Sequence, residues 1–190
     1  MAGRYYDYLD MKNKPKTMEE FQELIDALGY SKSTMLDEYK SGFSVEQLNV
    51  ILYGLEHMLL VNPYAKPEFN ADQMCVILWG MQLGLDIQRY AKPEYDADQM
   101  WFIYQGIKSG YNIDLYASPE FTSEQMGEIY FGIHVGLDVT PYANPDYSVE
   151  QMQVIRIGLQ LNLDVSKYAK PELSAKEMHV IKENLIEGMC

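Results

Sequence analysis

The chain has 190 residues, of which 47% are hydrophobic, and its formal net charge is −13 at pH 7. The hydrophobic share argues against disorder. The chain contains no run of about 18 apolar residues, so no membrane span is predicted. The negative charge disfavours direct binding to nucleic acid or anionic membranes, because phosphate is bound largely through Lys and Arg. Cys75 and Cys190 are the only cysteines, so we expect no disulfide framework and a cytoplasmic location.

The first predicted region, residues 1–43, is an N-terminal segment with a degenerate first repeat. Thr17 and Glu20 have the spacing of a capping box, and Phe21 and Leu24 begin an apolar stripe at helical spacing. Thr17 precedes the first regular helix start, Ser44, by 27 residues. We therefore expect one helix in this segment, related to the repeats that follow.

Residues 44–173 form five regular repeats of 26 residues, and a fixed period of this length predicts a repeat architecture. Each repeat contains Tyr-Ala-x-Pro-(Glu/Asp)-hydrophobe, beginning at Tyr64, Tyr90, Tyr116, Tyr142 and Tyr168. Helix starts are predicted at N-cap residues followed three positions later by Gln or Glu, which is the capping-box pattern. These N-caps are Ser44, Asn70, Asp96, Thr122, Ser148 and Ser174.

The predicted helices are about 13 residues long and close on left-handed residues at Gly84, Gly110, Gly136 and Asn162. Asp86, Asn112, Asp138 and Asp164 are predicted to cap a short second turn, which a proline then ends. A glycine also recurs inside each helix, at Gly54, Gly80, Gly106, Gly132 and Gly158. Because glycine there costs roughly 1 kcal/mol relative to alanine, we expect another backbone to pass close by.

Residues 174–190 are predicted to form a C-terminal capping helix, since polar side chains such as Lys176 and Glu187 suit the exposed end of a stack. The predicted fold is therefore an all-α repeat solenoid of about seven copies. Each copy has one α-helix plus a short 3₁₀ or single-turn segment. Because no copy can bury its apolar face alone, we expect one cooperative domain.

The repeat motif resembles a family of bacterial tandem-repeat proteins, largely uncharacterised and often encoded on mobile elements. The likeness covers about residues 43–190 and is carried best by Gln125 to Val139 and Gln151 to Val165. The resemblance implies no catalytic residues. The helix-plus-turn unit also resembles the α/3₁₀ solenoids of leucine-rich variant repeats, a likeness of architecture that implies nothing about activity.

One flank of the helices varies from copy to copy, and the middle copies make it aromatic. We call its aromatic residues the aromatic band, and they are the candidate partner-binding residues: Trp79, Trp101, Tyr104, Tyr130 and Phe131. Aromatic side chains are enriched in protein-binding hot spots. Three interpretations stay open, namely burial against neighbouring turns, a protein-binding surface, and a groove for a small molecule.

Signals of catalysis or metal binding are weak, so we expect no enzyme, no cofactor and no metal. His179 and Glu183 are spaced to share a metal ion, but a solvated end-cap face explains them better. Cys75 is expected to be a small core thiol. No phosphate-binding loop or nucleophile elbow is present.

The predicted function is that of a non-catalytic repeat scaffold that binds a protein partner, a basic one if the acidic edges select it. A homodimer through the exposed aromatic band is a further option. The alternative function is an acidic decoy that mimics nucleic acid and inhibits a nucleic-acid-binding enzyme, as an anti-defence protein would. The acidity also has a structural explanation, because about half of the 28 acidic residues occupy capping, first-turn or post-proline positions.

Overall fold

The computed structural model describes residues 5–11, 14–29 and 42–188, and all of its secondary structure in those ranges is helical. The α-helices are α1 (Met18–Ala27), α2 (Val45–Glu56), α3 (Ala71–Gln82), α4 (Ala97–Lys108), α5 (Ser123–His134), α6 (Val149–Gln160) and α7 (Ala175–Glu187). The 3₁₀ segments are Tyr6–Tyr8, Ile87–Arg89, Ile113–Leu115 and Val165–Lys167. The predicted all-α repeat of helices and short turns is confirmed.

The described residues group into two compact units, and the boundary between Met100 and Trp101 falls inside α4. In the first unit α1 packs against α2, α2 packs against α3, and the segment Tyr6–Tyr8 also contacts α3. In the second unit α5 packs against α6, and α6 packs against α7. Cys190 and residues 30–41 of the predicted N-terminal segment lie outside the described residues. The single cooperative domain stays a prediction.

All six predicted capping boxes are present. At Thr122, for example, the Gln125 N–H donates to the threonine hydroxyl, and the Thr122 N–H donates to Gln125 Oε1 at 2.7 Å. The equivalent pairs begin α2, α3, α4, α6 and α7. In the degenerate repeat only half of the box forms, because the Glu20 carboxylate accepts from the Lys16 N–H while Thr17 accepts from the Glu20 N–H.

The recurring glutamine also joins one repeat to the next, a role that the capping pattern did not predict. The amide nitrogen of Gln125 donates to the Tyr147 carbonyl at 2.6 Å and to the Pro145 carbonyl at 3.0 Å. Gln47, Gln73 and Gln151 make the corresponding bond to the carbonyl of residue 69, 95 or 173. The oxygen of each such side chain therefore accepts from the backbone N–H at the start of its own helix, and the nitrogen donates to a backbone carbonyl of the following loop.

The hydroxyl of each recurring tyrosine lies against the glycine inside the helix of the same repeat. A β-carbon on Gly54, Gly80, Gly106, Gly132 or Gly158 would lie 1.7–2.0 Å from that oxygen. The expectation of a close backbone was therefore wrong, since a phenol fills the space. The five tyrosines are fully buried. Four of them donate to a carbonyl one turn before the glycine, at distances from 3.1 Å for Tyr116 to 3.5 Å for Tyr64.

The predicted left-handed helix ends are confirmed, with φ between 56° and 79° at Gly84, Gly110, Gly136 and Asn162. In the first regular repeat this conformation falls on Met58, with φ 56°. The side chains of Asp86, Asn112 and Asp138 cap the short turns as predicted. The prediction was wrong for Asp164, whose carboxylate accepts from the Ser166 hydroxyl and makes no cap bond to the backbone.

Candidate functional site

The residues of the predicted aromatic band divide between the two units. Trp79 belongs to α3 in the first unit and is half-buried. Trp101, Tyr104, Tyr130 and Phe131 belong to the second unit. Their exposure differs widely, because Tyr104 is only 5% exposed whereas Phe131 is 51% exposed.

In the first unit, the variable flank of α3 holds the N-terminal segment of the same chain. The backbone N–H groups of Tyr5 and Tyr6 both donate to Asp72 Oδ1, at 2.6 and 2.7 Å. The Tyr5 hydroxyl donates to Asp98 Oδ1, and its ring meets Trp79 edge to face at a centroid distance of 6.0 Å. Tyr5 is 5% exposed. A peptide that carries an aromatic side chain thus occupies this part of the flank.

A second set of contacts holds Tyr6 and the chain that follows it, at Lys14 and Pro15. The Asn49 amide on α2 donates to the Tyr6 hydroxyl at 2.6 Å and to the Pro15 carbonyl at 2.8 Å. The Lys14 ammonium donates to the Tyr6 carbonyl and lies 4.6 Å from the centre of the Tyr6 ring. Asn49, the sixth residue of its repeat, therefore binds the Tyr6 phenol as a hydrogen-bond donor, whereas Asp72 binds the backbone N–H groups of the same segment as an acceptor.

Cys75 occupies the same sixth position on α3 and is a core residue. Its side chain is fully buried, and burial, reinforced by the charge of Asp72, raises the pKa of the thiol well above its usual range. A reactive cysteine needs the opposite shift. The expectation of a small core thiol is therefore confirmed.

The second unit carries an aromatic cluster formed by Phe102, Tyr111, Tyr130, Phe131 and His134. Tyr130 is central, with ring centroids at 5.6 Å from Phe131, 5.8 Å from Tyr111, 5.9 Å from Phe102 and 6.2 Å from His134. The Tyr111 hydroxyl and His134 Nδ1 are 2.9 Å apart, at hydrogen-bond distance. Because Phe131 and His134 are exposed, the cluster presents aromatic surface to solvent.

Trp101 and Tyr104 form a separate pair on α4. Their rings stack at 5.2 Å with an interplanar angle of 28°, and the Lys108 ammonium lies 5.8 Å from the Tyr104 ring centre. Trp101 is half-buried and Tyr104 is buried. In this part of the band Trp101 offers the accessible surface, and Tyr104 supports it from below.

The candidate residues chosen from the sequence left out three members of the aromatic cluster, Phe102, Tyr111 and His134. Tyr111 stands directly after Gly110, at a position where the neighbouring copies have leucine, so its departure from the repeat was the available signal. Phe102 pairs with Gly127 on the next helix, where a β-carbon would lie 2.9 Å from the phenyl ring. Phe102 and Gly127 stand at different positions of consecutive repeats. A comparison of the copies one position at a time therefore does not reveal that the large side chain fits against the small one.

Next to the aromatic cluster, α5 and α6 are joined by a charged contact. Arg156 Nε donates to Glu128 Oε2 at 2.7 Å, and the Gln153 amide donates to the other carboxylate oxygen at 3.0 Å. Both charged side chains are largely buried, with 21% and 12% of their surface exposed. The charge of Arg156 is thereby balanced inside the unit.

Three further findings bear on other kinds of site. Across residues 5–11, 14–29 and 42–188 no three His, Cys, Asp or Glu side chains are grouped so that they could hold a metal ion. His179 Nε2 lies 3.8 Å from Glu183 Oε1 on the half-exposed face of α7. In the same part of the chain, every helix is too short or too polar to cross a bilayer.

Comparison with protein-family models, with curated proteins and with solved structures gave no match for this chain. The candidate site therefore rests on its own geometry. It consists of a flank in the first unit that holds the chain's own N-terminal segment, and of an exposed aromatic cluster in the second unit.

Proposed function

We propose that this protein is a non-catalytic repeat scaffold that binds a protein partner through the variable flank of its helices. The observation that carries the proposal is the contact of the N-terminal segment with α3, where Tyr5 meets Trp79 and its backbone N–H donates to Asp72. A flank that binds a segment of its own chain has the chemistry to bind another. The location that goes with the proposal is the cytoplasm, where the Cys75 thiol would stay reduced.

The surface offered to the partner is the aromatic cluster of the second unit together with Trp101. Exposed apolar patches mark interaction sites, and aromatic residues supply most hot spots. Phe131, 51% exposed, is the most accessible apolar residue of the cluster. Tyr130 and Phe102 pack against it at centroid distances of 5.6 and 6.4 Å, so neighbouring rings support the ring of Phe131. Such support lowers the entropy cost of binding.

The test is affinity capture from a host extract with the full-length protein, followed by the same capture with a Phe131→Ala/Trp101→Ala variant. We expect the double variant to lose the captured protein. Leu161→Ala is the matched control, because Leu161 is also an exposed apolar residue, 47% exposed, and lies outside the aromatic cluster. Capture that is unchanged in the double variant would refute the proposal.

The alternative function is an acidic decoy for a nucleic-acid-binding enzyme, as the likeness to mobile-element proteins suggested. The observation that favours it is the exposure of Glu124 and Glu150, whose pKa values are held below the usual range, mainly by hydrogen bonds from the backbone. Both carboxylates therefore stay charged, at the same position of consecutive repeats. Salt separates the two functions, since a decoy should lose most of its affinity at about 0.5 M salt and apolar docking should survive.

A further inference from the structure

The N-terminal segment reveals which atoms of the flank recognise a peptide. Asp72, the second residue of α3, accepts two consecutive backbone N–H groups from Tyr5 and Tyr6. Asp98, the second residue of α4, accepts the phenolic proton of Tyr5, and Trp79 packs against the ring. Two carboxylates one repeat apart and one aromatic ring between them therefore define the site.

The same three positions recur two repeats further along, inside the second unit. A shift of 52 residues takes Asp72 to Glu124, Asp98 to Glu150 and Trp79 to Phe131. Glu124 and Glu150 are the second residues of α5 and α6, which pack against each other and begin with the same capping box as α3. The 26-residue repeat therefore places these three residues at the register positions that hold Tyr5 in the first unit, with glutamate in place of each aspartate.

In the second unit these three side chains are all exposed. The Ser123 hydroxyl donates to Glu124 Oε2 at 3.3 Å, and hydrogen bonds from the Glu124 backbone and the Thr122 side chain also reach this carboxylate. A carboxylate has about four lone-pair sites, so an exposed one can accept further hydrogen bonds from a ligand. Phe131 is 51% exposed, whereas Trp79, its counterpart under Tyr5, is half-buried. The second unit thus presents to solvent the groups that the first unit uses for its own segment.

We infer that Glu124, Phe131 and Glu150 form a second peptide site, and that its ligand is a partner segment with two adjacent aromatic residues, the first a tyrosine. This inference rests on the proposed function and gives the chemistry of the partner. The backbone of the segment donates to Glu124, its first tyrosine packs on Phe131, and the phenol donates to Glu150.

Neighbouring residues make the second site different from the first. Asn49, whose amide binds the Tyr6 hydroxyl, is replaced two repeats later by Trp101. The second aromatic residue of the ligand therefore meets a ring in place of an amide, and phenylalanine suits it as well as tyrosine. Two exposed carboxylates and a net charge of −13 also favour a segment that carries Lys or Arg.

The probe is a synthetic peptide with the sequence of residues 5–16 of this chain, labelled at its C-terminus and titrated into the full-length protein. The chain's own segment is covalently tethered, at an effective concentration in the millimolar range for a short tether. Peptide at about 100 μM or less therefore leaves the first site occupied. We expect fluorescence anisotropy to show one bound peptide per chain.

The variants Phe131→Ala, Glu124→Gln and Glu150→Gln should each weaken binding about tenfold or more, as expected when a hot-spot contact is lost. Glu46→Gln is the matched control, because Glu46 is an exposed acid at the same position of α2. A peptide with alanine in place of both Tyr5 and Tyr6 should not bind. Unfolding midpoints check that each variant keeps its fold.

The inference is overturned if the peptide does not bind at millimolar concentration, or if Phe131→Ala and Glu124→Gln leave binding unchanged. If peptide binding fails while host capture still depends on Phe131, the proposed function stands and only this ligand chemistry is wrong. If Phe131→Ala reduces neither peptide binding nor host capture, both this inference and the proposed function are refuted. If sedimentation shows a dimer that Phe131→Ala abolishes, the occupant of the site is a second copy of this chain. That result would overturn the proposal of a separate partner protein.

Discussion

The Tyr168 hydroxyl oxygen lies against the backbone of α6 at Gly158, only 1.7 Å from the place that a β-carbon on Gly158 would take. The same relationship joins each recurring tyrosine to the glycine of its own repeat. It explains why glycine is kept inside five helices although alanine has the higher helix propensity. The tyrosine and the glycine are thus two parts of one packing unit.

Replacing Gly158 with alanine should destabilise the protein. The methyl group would overlap the Tyr168 oxygen, and overpacking of this kind costs roughly 1–3 kcal/mol. Tyr168→Phe should relieve most of the clash, because the next contacts, the ring carbon that bears the hydroxyl and Val165 Cγ1, lie at 3.1 and 3.2 Å. Urea unfolding of both single variants and the double variant measures the coupling. Additive free-energy changes would contradict the relationship.

Tyr116→Phe and Tyr168→Phe should have different effects on stability. The Tyr116 hydroxyl donates to the Phe102 carbonyl at 3.1 Å, and losing this bond should cost about 1 kcal/mol. The Tyr168 hydroxyl is buried without a hydrogen-bond partner in the described residues, so its removal should be neutral or stabilising. The two free energies of unfolding are compared under the same conditions. An equal loss in both variants would show that the carbonyl bond contributes little.

Gln125→Glu should destabilise the second unit, whereas Glu177→Gln should not. A carboxylate at 125 keeps the acceptor for the Thr122 N–H but has no donor for the Pro145 and Tyr147 carbonyls. The unpaired groups should cost roughly 2 kcal/mol. Glu177 is exposed, and in the described part of the chain its hydrogen bonds are all with Ser174, so a glutamine amide at 177 would have no loop carbonyl to bind. Thermal unfolding of the two variants tests the difference, and a smaller loss for Gln125→Glu than for Glu177→Gln would contradict it.

Met58→Gly should stabilise the protein. Met58 ends α2 in the left-handed region at φ 56°, where Gly84, Gly110 and Gly136 stand in later repeats. Its side chain is 96% exposed, so little packing is lost on its removal. Relief of the backbone strain should raise the free energy of unfolding by about 1 kcal/mol. Met58→Ala, which removes the side chain and keeps the strain, is the control and should not stabilise.

Stability should fall as the pH rises above 10. Burial raises the pKa of Tyr168 from its ordinary 10.0 to about 12 and raises the pKa values of Tyr116 and Tyr142 as well. The phenols in the unfolded chain lose their protons first, so each folded-state shift stabilises the protein fully below pH 10 and is lost as the pH rises through the folded pKa. For Tyr168 the window is pH 10 to about 12.

Each titrating phenol contributes at most about 1.4 kcal/mol per pH unit to this decline. Urea unfolding at about pH 9, 10 and 11 measures the slope, and tyrosinate absorbance reports the ionisation. Tyr168→Phe should reduce the slope by the contribution of one phenol. A slope that is unchanged in this variant would contradict the raised pKa of Tyr168.

Local chemistry determined the helices of this protein. A polar cap, a glutamine three residues later and a left-handed closing residue act within one turn of backbone, so Thr122, Gln125 and Gly136 predict the limits of α5 without knowledge of the fold. The 26-residue period then repeats that local solution. Caps and φ restrictions do not depend on distant residues, and this is why the sequence alone predicted them.

Tertiary packing decided what the sequence left open. Gln125 also binds the next loop, the interior glycines accommodate a phenol, and Phe102 fits against Gly127, each through a contact between residues at least 10 positions apart. Packing likewise buried Tyr104, left Phe131 exposed and brought Tyr5 to Trp79. Repeat position alone cannot show which side of a helix meets a neighbour or which distant segment covers it. Only the folded chain distinguishes the buried residues of the aromatic band from those open to a partner.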